Sequence, residues 1–226
     1  MQVCISSPAY LTQPAAAGGG ASFTLAASDL DADNSVDMGT ASAGDLLVGV
    51  IYTEGTDNAG TLTLSDGTNG SWTIAEEYES TVTSGSPNWN QRIAIGYVLS
   101  SAAGAVVVTG AGGTGTVGGS TKCAAWRFSV TGGPATFVDS AHGDGTGTAF
   151  ACSATVGACG LAVAQFTAWS GDTTNDVEIP DNTNADAELT VAGAAAGHRI
   201  ASMTNPDAAA TNSISREYIA IMATFI

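Results

Sequence analysis

Basic residues are scarce. Lys122, Arg92, Arg127, Arg199 and Arg216 are the 5 cations of 226 residues, set against 21 aspartates and glutamates for a formal net charge of -16. Affinity for nucleic acid comes largely from neutralising phosphates, so this balance argues against DNA or RNA as a partner. An anionic membrane surface is disfavoured for the same reason. Long apolar runs are also missing, and none approaches the roughly 20 residues needed to cross a bilayer as a helix. Helical periodicity is absent as well, because Gly or Thr interrupts nearly every candidate stretch. The 4 cysteines, Cys4, Cys123, Cys152 and Cys159, have neither C-x-x-C spacing nor histidines at zinc-finger distances. Free buried thiols are expected, with a Cys152–Cys159 bridge left open. The first twenty residues lack a basic start and a continuous apolar stretch, and Pro8 and Pro14 interrupt them. No secretory leader is legible there, and synthesis in a reducing cytoplasm is the expectation.

What the chain does have is a rhythm of short β-branched and aromatic runs between Gly, Thr, Ser, Asn and Asp. Leu46–Tyr52, Arg92–Leu99, Cys123–Phe128, Leu161–Phe166 and Tyr218–Ile226 are the clearest. Such runs predict an all-β fold: an antiparallel two-sheet sandwich, jelly-roll-like, with an irregular N-terminal arm over 1–20 and a single sandwich domain over 21–226. The expected strands begin with Phe23–Ala26 and continue near 45–53, 61–64, 72–78, 90–99, 105–109, 121–130 and 135–139. A second series lies near 148–155, 159–169, 186–192, 197–204 and 214–226. The alanine-rich stretch 192–197 is framed by glycines and reads as a tight turn. Both parities of the terminal run are apolar, so that strand is expected to be central and covered on both faces.

Few motifs carry chemistry. Gly110–Gly115 matches G-x-G-x-x-G after an apolar strand, but Gly118-Gly119 and another strand follow where a dinucleotide site needs a helix. It reads as a loop. Asp29, Asp31, Asp33 and Asp37 alternate as in the first positions of a calcium loop, yet Asn34 stands at the glycine position and Thr40 at that of the bidentate glutamate. This leaves an acidic surface turn with weak Ca²⁺ binding as its functional alternative. No other cofactor is implied. A second acidic cluster comprises Asp172, Asp176, Glu178, Asp181, Asp186 and Glu188 and reads as a solvated loop. His142 and His198 lack the companions of a metal site or a catalytic triad, and no G-x-S-x-G elbow is present. The chain is expected not to be an enzyme. Trp72 and Trp126 lie in apolar strands and read as core, whereas Trp89 looks loop-borne and is a contact candidate for a partner subunit or a glycan.

Gly44–Val50, Trp72–Ile74, Arg92–Leu99 and Gly160–Ala164 resemble, in their order, the strand motifs of a family of phage-associated β-sandwich proteins. The resemblance spans roughly 40–226 and implies a virion structural protein made in the host bacterial cytoplasm. The expected role is a capsid decoration (cement) protein on the outer surface of the head, commonly a homotrimer, touching the major capsid protein or other virion proteins. Pro8, Tyr10 and Pro14 in the arm and Trp89 are then the expected partner contacts. The alternative is a tail or fibre component acting as a carbohydrate-binding or adhesion module.

Overall fold

The computed structural model describes residues 20–56, 60–81, 89–112, 121–155, 158–168, 174–179, 183–191 and 193–226. All of the regular structure among them is strand. In chain order the strands are β1 (Ser22–Asp31), β2 (Ser35–Ala41), β3 (Leu46–Thr56), β4 (Thr63–Asp66), β5 (Gly70–Ser71), β6 (Thr73–Thr81), β7 (Trp89–Leu99), β8 (Gly104–Ala111) and β9 (Thr121–Thr131). They continue with β10 (Phe137–Ser153), β11 (Ala158–Ala168), β12 (Thr174–Glu178), β13 (Ala187–Val191), β14 (Ala194–Thr204) and β15 (Asp207–Phe225). The antiparallel sandwich read from the sequence is present, and a third sheet is added to it.

The central sheet has the order β1-β9-β3-β7-β6, the C-terminal sheet β10-β15-β11-β14-β13, and the small sheet β2-β8-β4-β5. β3 lies in the middle of the central sheet and both its faces are covered, which is why Leu46–Tyr52 is continuously apolar instead of alternating. Val48, Val50, Tyr52, Trp126 and Phe128 pack toward the C-terminal sheet. Leu47, Ile51, Cys123 and Ala125 pack the other way, on Val36, Met38, Leu62, Leu64, Trp72, Val106 and Val108 of the small-sheet side. β8, which has one face open, alternates as its pleat demands: Val106 and Val108 are buried while Val107 is exposed. The cross-strand pair Gly49 and Gly96 makes room for this second core. A Cβ on Gly49 would stand 3.0 Å from the Trp72 ring, and one on Gly96 2.9 Å from the Thr73 carbonyl oxygen.

A third core lies on the far face of the C-terminal sheet. There Ala162, Ala164, Phe166 and Ala168 meet Phe150, Cys152, Val177, Ala208 and Ala210. The cover comes from the same sheet, because the β10–β15 ribbon folds back over it. Pairing runs from Phe137↔Phe225 to Gly147↔Arg216, then resumes at Ala149↔Thr211, so on β10 residues 212–215 are opposed by Thr148 alone. The reversal brings Ala151 onto Gly143 so closely that a Cβ on Gly143 would stand 2.1 Å from the Ala151 carbonyl oxygen. Phe150 stacks on Tyr218 at 4.3 Å, and the Ala151 N–H donates to the Tyr218 hydroxyl at 3.3 Å, fastening the fold-back. β12 pairs with β15 and completes the cover.

Several sequence expectations change. β10 is one long strand where two were expected near 135–139 and 148–155, since its glycines let a bent strand continue rather than break. The expected turn at 192–197 is strand from Ala194 onward. Ala194 and Ala196 face the central sheet and Ala195 the third core; small residues are present because layers approach on both sides. β2 was not expected, and β1 and β15 are longer than read. The terminal strand lies between β10 and β11 with residues 219–225 buried, as its double apolar parity predicted. The arm over 1–19, with Cys4, Pro8, Tyr10 and Pro14, lies outside the described residues.

Candidate functional site

β1 ends and β2 begins around the acidic turn. Asp29, Asp31, Asp33 and Asp37 are all exposed. Asp29 and Asp31 belong to the central sheet and Asp37 to the small sheet, so the strand exchange divides the four carboxylates. Asp29 accepts the Leu30 N–H at 2.9 Å, and Asp37 accepts the Gly39 N–H at 2.8 Å. Among the described residues no group of three or more His, Cys, Asp or Glu side chains is placed to hold a metal ion. Trp89 opens β7 and pairs with Thr56, so its backbone is strand and not the loop that its Pro and Asn neighbours suggested. Its side chain lies outside the described part, as do Trp169, Asp172 and Asp181.

One polar cluster was not anticipated. β6 and β10 are the facing edges of the central and C-terminal sheets. Tyr78 of β6 stacks on His142 of β10 with ring centroids 3.7 Å apart and planes at 14°. His142 Nδ1 meets Glu76 Oε1. The Tyr78 hydroxyl donates to Asp144 Oδ1 at 3.0 Å, and the Ser80 hydroxyl donates to Asp144 Oδ2 at 2.9 Å. Alternation puts Glu76, Tyr78 and Ser80 on one face of β6, and His142 and Asp144 on one face of β10. Burial, followed by the hydrogen bond and charge of Asp144, raises the Tyr78 phenol above its ordinary range, so it remains a donor. On the other face of β6, Glu77 pairs with Arg92 of β7.

A second group lies deeper on the same side of the central sheet. Tyr52 and Lys122 are cross-strand partners on β3 and β9, as are Glu54 and Gln91 on β3 and β7. Tyr52 and Gln91 are fully buried and Lys122 nearly so. The Tyr52 hydroxyl donates to Glu54 Oε2 at 2.7 Å, and Lys122 Nζ stands 5.2 Å from the Tyr52 ring centroid. Burial raises the Tyr52 phenol well above its ordinary range, helped by the Glu54 charge. Burial lowers the Lys122 ammonium, and Glu54 opposes that.

Cys123, Cys152 and Cys159 are free and buried. Burial pushes Cys123 and Cys152 up to about 12 and Cys159 to about 11, so these thiols are not nucleophiles at neutral pH. Of the second acidic cluster, Asp176 and Glu188 come near one another. Burial and then the Asp176 charge raise the Glu188 carboxyl, while Asp186 pairs instead with Arg199 at 2.8 Å. Sequence reasoning missed the edge cluster because its members are separated by 66 and 64 positions, and no local spacing marks them.

No family model, no curated protein and no solved structure matches this chain.

Proposed function

We propose that this chain is a non-enzymatic structural protein of a phage virion, acting as a capsid decoration protein on the outer surface of the head. The observation that carries this reading is how the polar side chains are engaged. His142 pairs with Glu76, Tyr78 and Ser80 with Asp144, Arg92 with Glu77, Arg127 with Asp45, and Arg199 with Asp186. These ties fasten one strand to another and one sheet edge to the next, which suits a load-carrying scaffold. The strand-motif resemblance points the same way, and the acidity of the chain suits a soluble protein that meets a more basic lattice. Assembly as a homotrimer through the arm around Pro8, Tyr10 and Pro14, with Trp89 at a subunit contact, completes the proposal.

The test is copy number in purified virions, by quantitative mass spectrometry against the major capsid protein. Hundreds of copies per particle support decoration. A few to a few tens would move the chain to a tail or fibre, where glycan adhesion is the role to examine. Absence from particles would remove the virion reading.

A further inference from the structure

His198 lies on β14 at 2% exposure, inside the interface between the central and C-terminal sheets. Its ring meets Phe128 of β9 edge-on, with centroids 5.4 Å apart and planes at 67°. Its cross-strand partners are Val163 on β11 and Ala187 on β13. Nδ1 is buried and has no hydrogen-bond partner among the described residues. The nearby β1 contributes Phe23 and Leu25 to this core, both apolar.

The charge that acts on the ring is that of Asp186, just before β13, and its oxygens are already engaged. Oδ1 accepts Arg199 Nη1–H at 2.8 Å and Oδ2 accepts the Ile200 N–H at 2.6 Å. Among the other charged groups on the elements packed against β14, Arg127 of β9 turns to Asp45, Lys122 of β9 to the Tyr52 ring, Asp29 of β1 to the Leu30 N–H, Asp176 of β12 to the Thr211 hydroxyl, and Glu188 of β13 to the backbone of Asp176 and Val177, while Asp31 of β1 is exposed. An imidazolium here would have no acceptor at Nδ1 and little solvent, whereas the unfolded chain would hydrate it fully.

We infer that the interface between the central and C-terminal sheets is acid-labile, with His198 as its proton-sensitive element. Burial lowers the imidazole from 6.5 to about 4, against an opposing Asp186 charge. The unfolded state therefore takes up the proton first as pH falls. The stabilisation is complete above the unfolded value of 6.5 and is lost progressively as pH drops toward 4. His142, the other histidine, is exposed beside Glu76 and is not part of this device.

The experiment is urea unfolding of the full chain and of His198→Leu at pH 7 and pH 5, which keeps both above the sequence pI of about 4.1. The wild-type unfolding constant should rise roughly twentyfold more than that of the variant between the two pH values. Equal rises in both proteins would overturn the inference. Should His198→Leu not fold, an NMR titration of the His198 ring in the wild type decides: a midpoint near 4 supports the inference, and one near 6.5 overturns it.

Discussion

Replacing Asp66 with alanine removes one carboxylate that accepts hydrogen bonds from four donor groups, of which Asn69 Nδ2 reaches both oxygens. Oδ1 accepts the N–H groups of Thr68 and Asn69 at 2.7 and 2.8 Å, closing the turn between β4 and β5. Oδ2 accepts Asn69 Nδ2 at 3.0 Å and Trp72 Nε1 at 2.7 Å. Asp66 and Trp72 are each 6% exposed, so the indole N–H left behind has no water to turn to. Asn69 in turn accepts the Ser101 N–H at 3.0 Å, so the damage reaches the β7–β8 turn. An unpartnered buried donor costs about 1–3 kcal/mol, and the lost charge-assisted turn bonds bring the expected loss to about 3–4 kcal/mol. Urea unfolding at pH 7 measures it. A double-mutant cycle of Asp66→Asn with Trp72→Phe should return a coupling of about 1–2 kcal/mol. Additive effects, or an Asp66→Ala loss below about 1 kcal/mol, would refute the reasoning. The pH dependence follows. Burial by itself raises the Asp66 carboxyl, but the bonds from Asn69, Trp72 and Thr68 outweigh it and hold the group below its ordinary 3.8. A depressed folded value means that this stability is present above the unfolded value and is lost as pH falls through the folded one.

Gly143→Ala should destabilise by about 2–3 kcal/mol in the same assay, because the obstructing atom is backbone and cannot rotate away; a neutral effect would show that the fold-back is looser than described. Cys123, Cys152 and Cys159 should resist an aromatic disulfide reagent until urea unfolds the chain, and rapid native labelling of any of the three would contradict their burial. Calcium should shift the melting temperature by less than a few degrees. A large shift that disappears in Asp31→Ala with Asp33→Ala would establish a site at the acidic turn. Tyr78→Phe combined with Ser80→Ala should lower stability by about 1–2 kcal/mol by freeing Asp144, and hydrogen exchange should quicken at β6 and β10; unchanged exchange would mean the edge is held by ring packing and the His142–Glu76 pair without Asp144.

Much of the fold was legible because β-structure writes itself as alternation and length. β3, β7, β9, β11 and β15 stand where their apolar runs predicted, and the two-sided burial of residues 219–225 was readable from parity. The misreadings share a cause. Alanine and glycine carry little local signal, so Ala194–Gly197 and the Gly143–Gly147 stretch were read from propensity. Their real determinant is how closely other layers approach: Gly197 would press a Cβ to 2.9 Å from Ala185 and Val177. That distance is set by neighbouring segments 12 and 20 positions earlier, beyond the reach of local propensity.

The sequence by itself determined an antiparallel all-β scaffold, its acidity and most of its strands, since each depends on composition or on neighbours within a few residues. The tertiary structure alone decided that a third sheet covers the central one, that the β10–β15 ribbon folds back to build its own core, and that Glu76, Tyr78, Ser80, His142 and Asp144 meet at a sheet edge. It also decided that His198 is sealed against Phe128 while His142 stays exposed. The physical reason is that burial and pairing are set by which strands become neighbours, and that is a property of register and layer order, not of spacing along the chain.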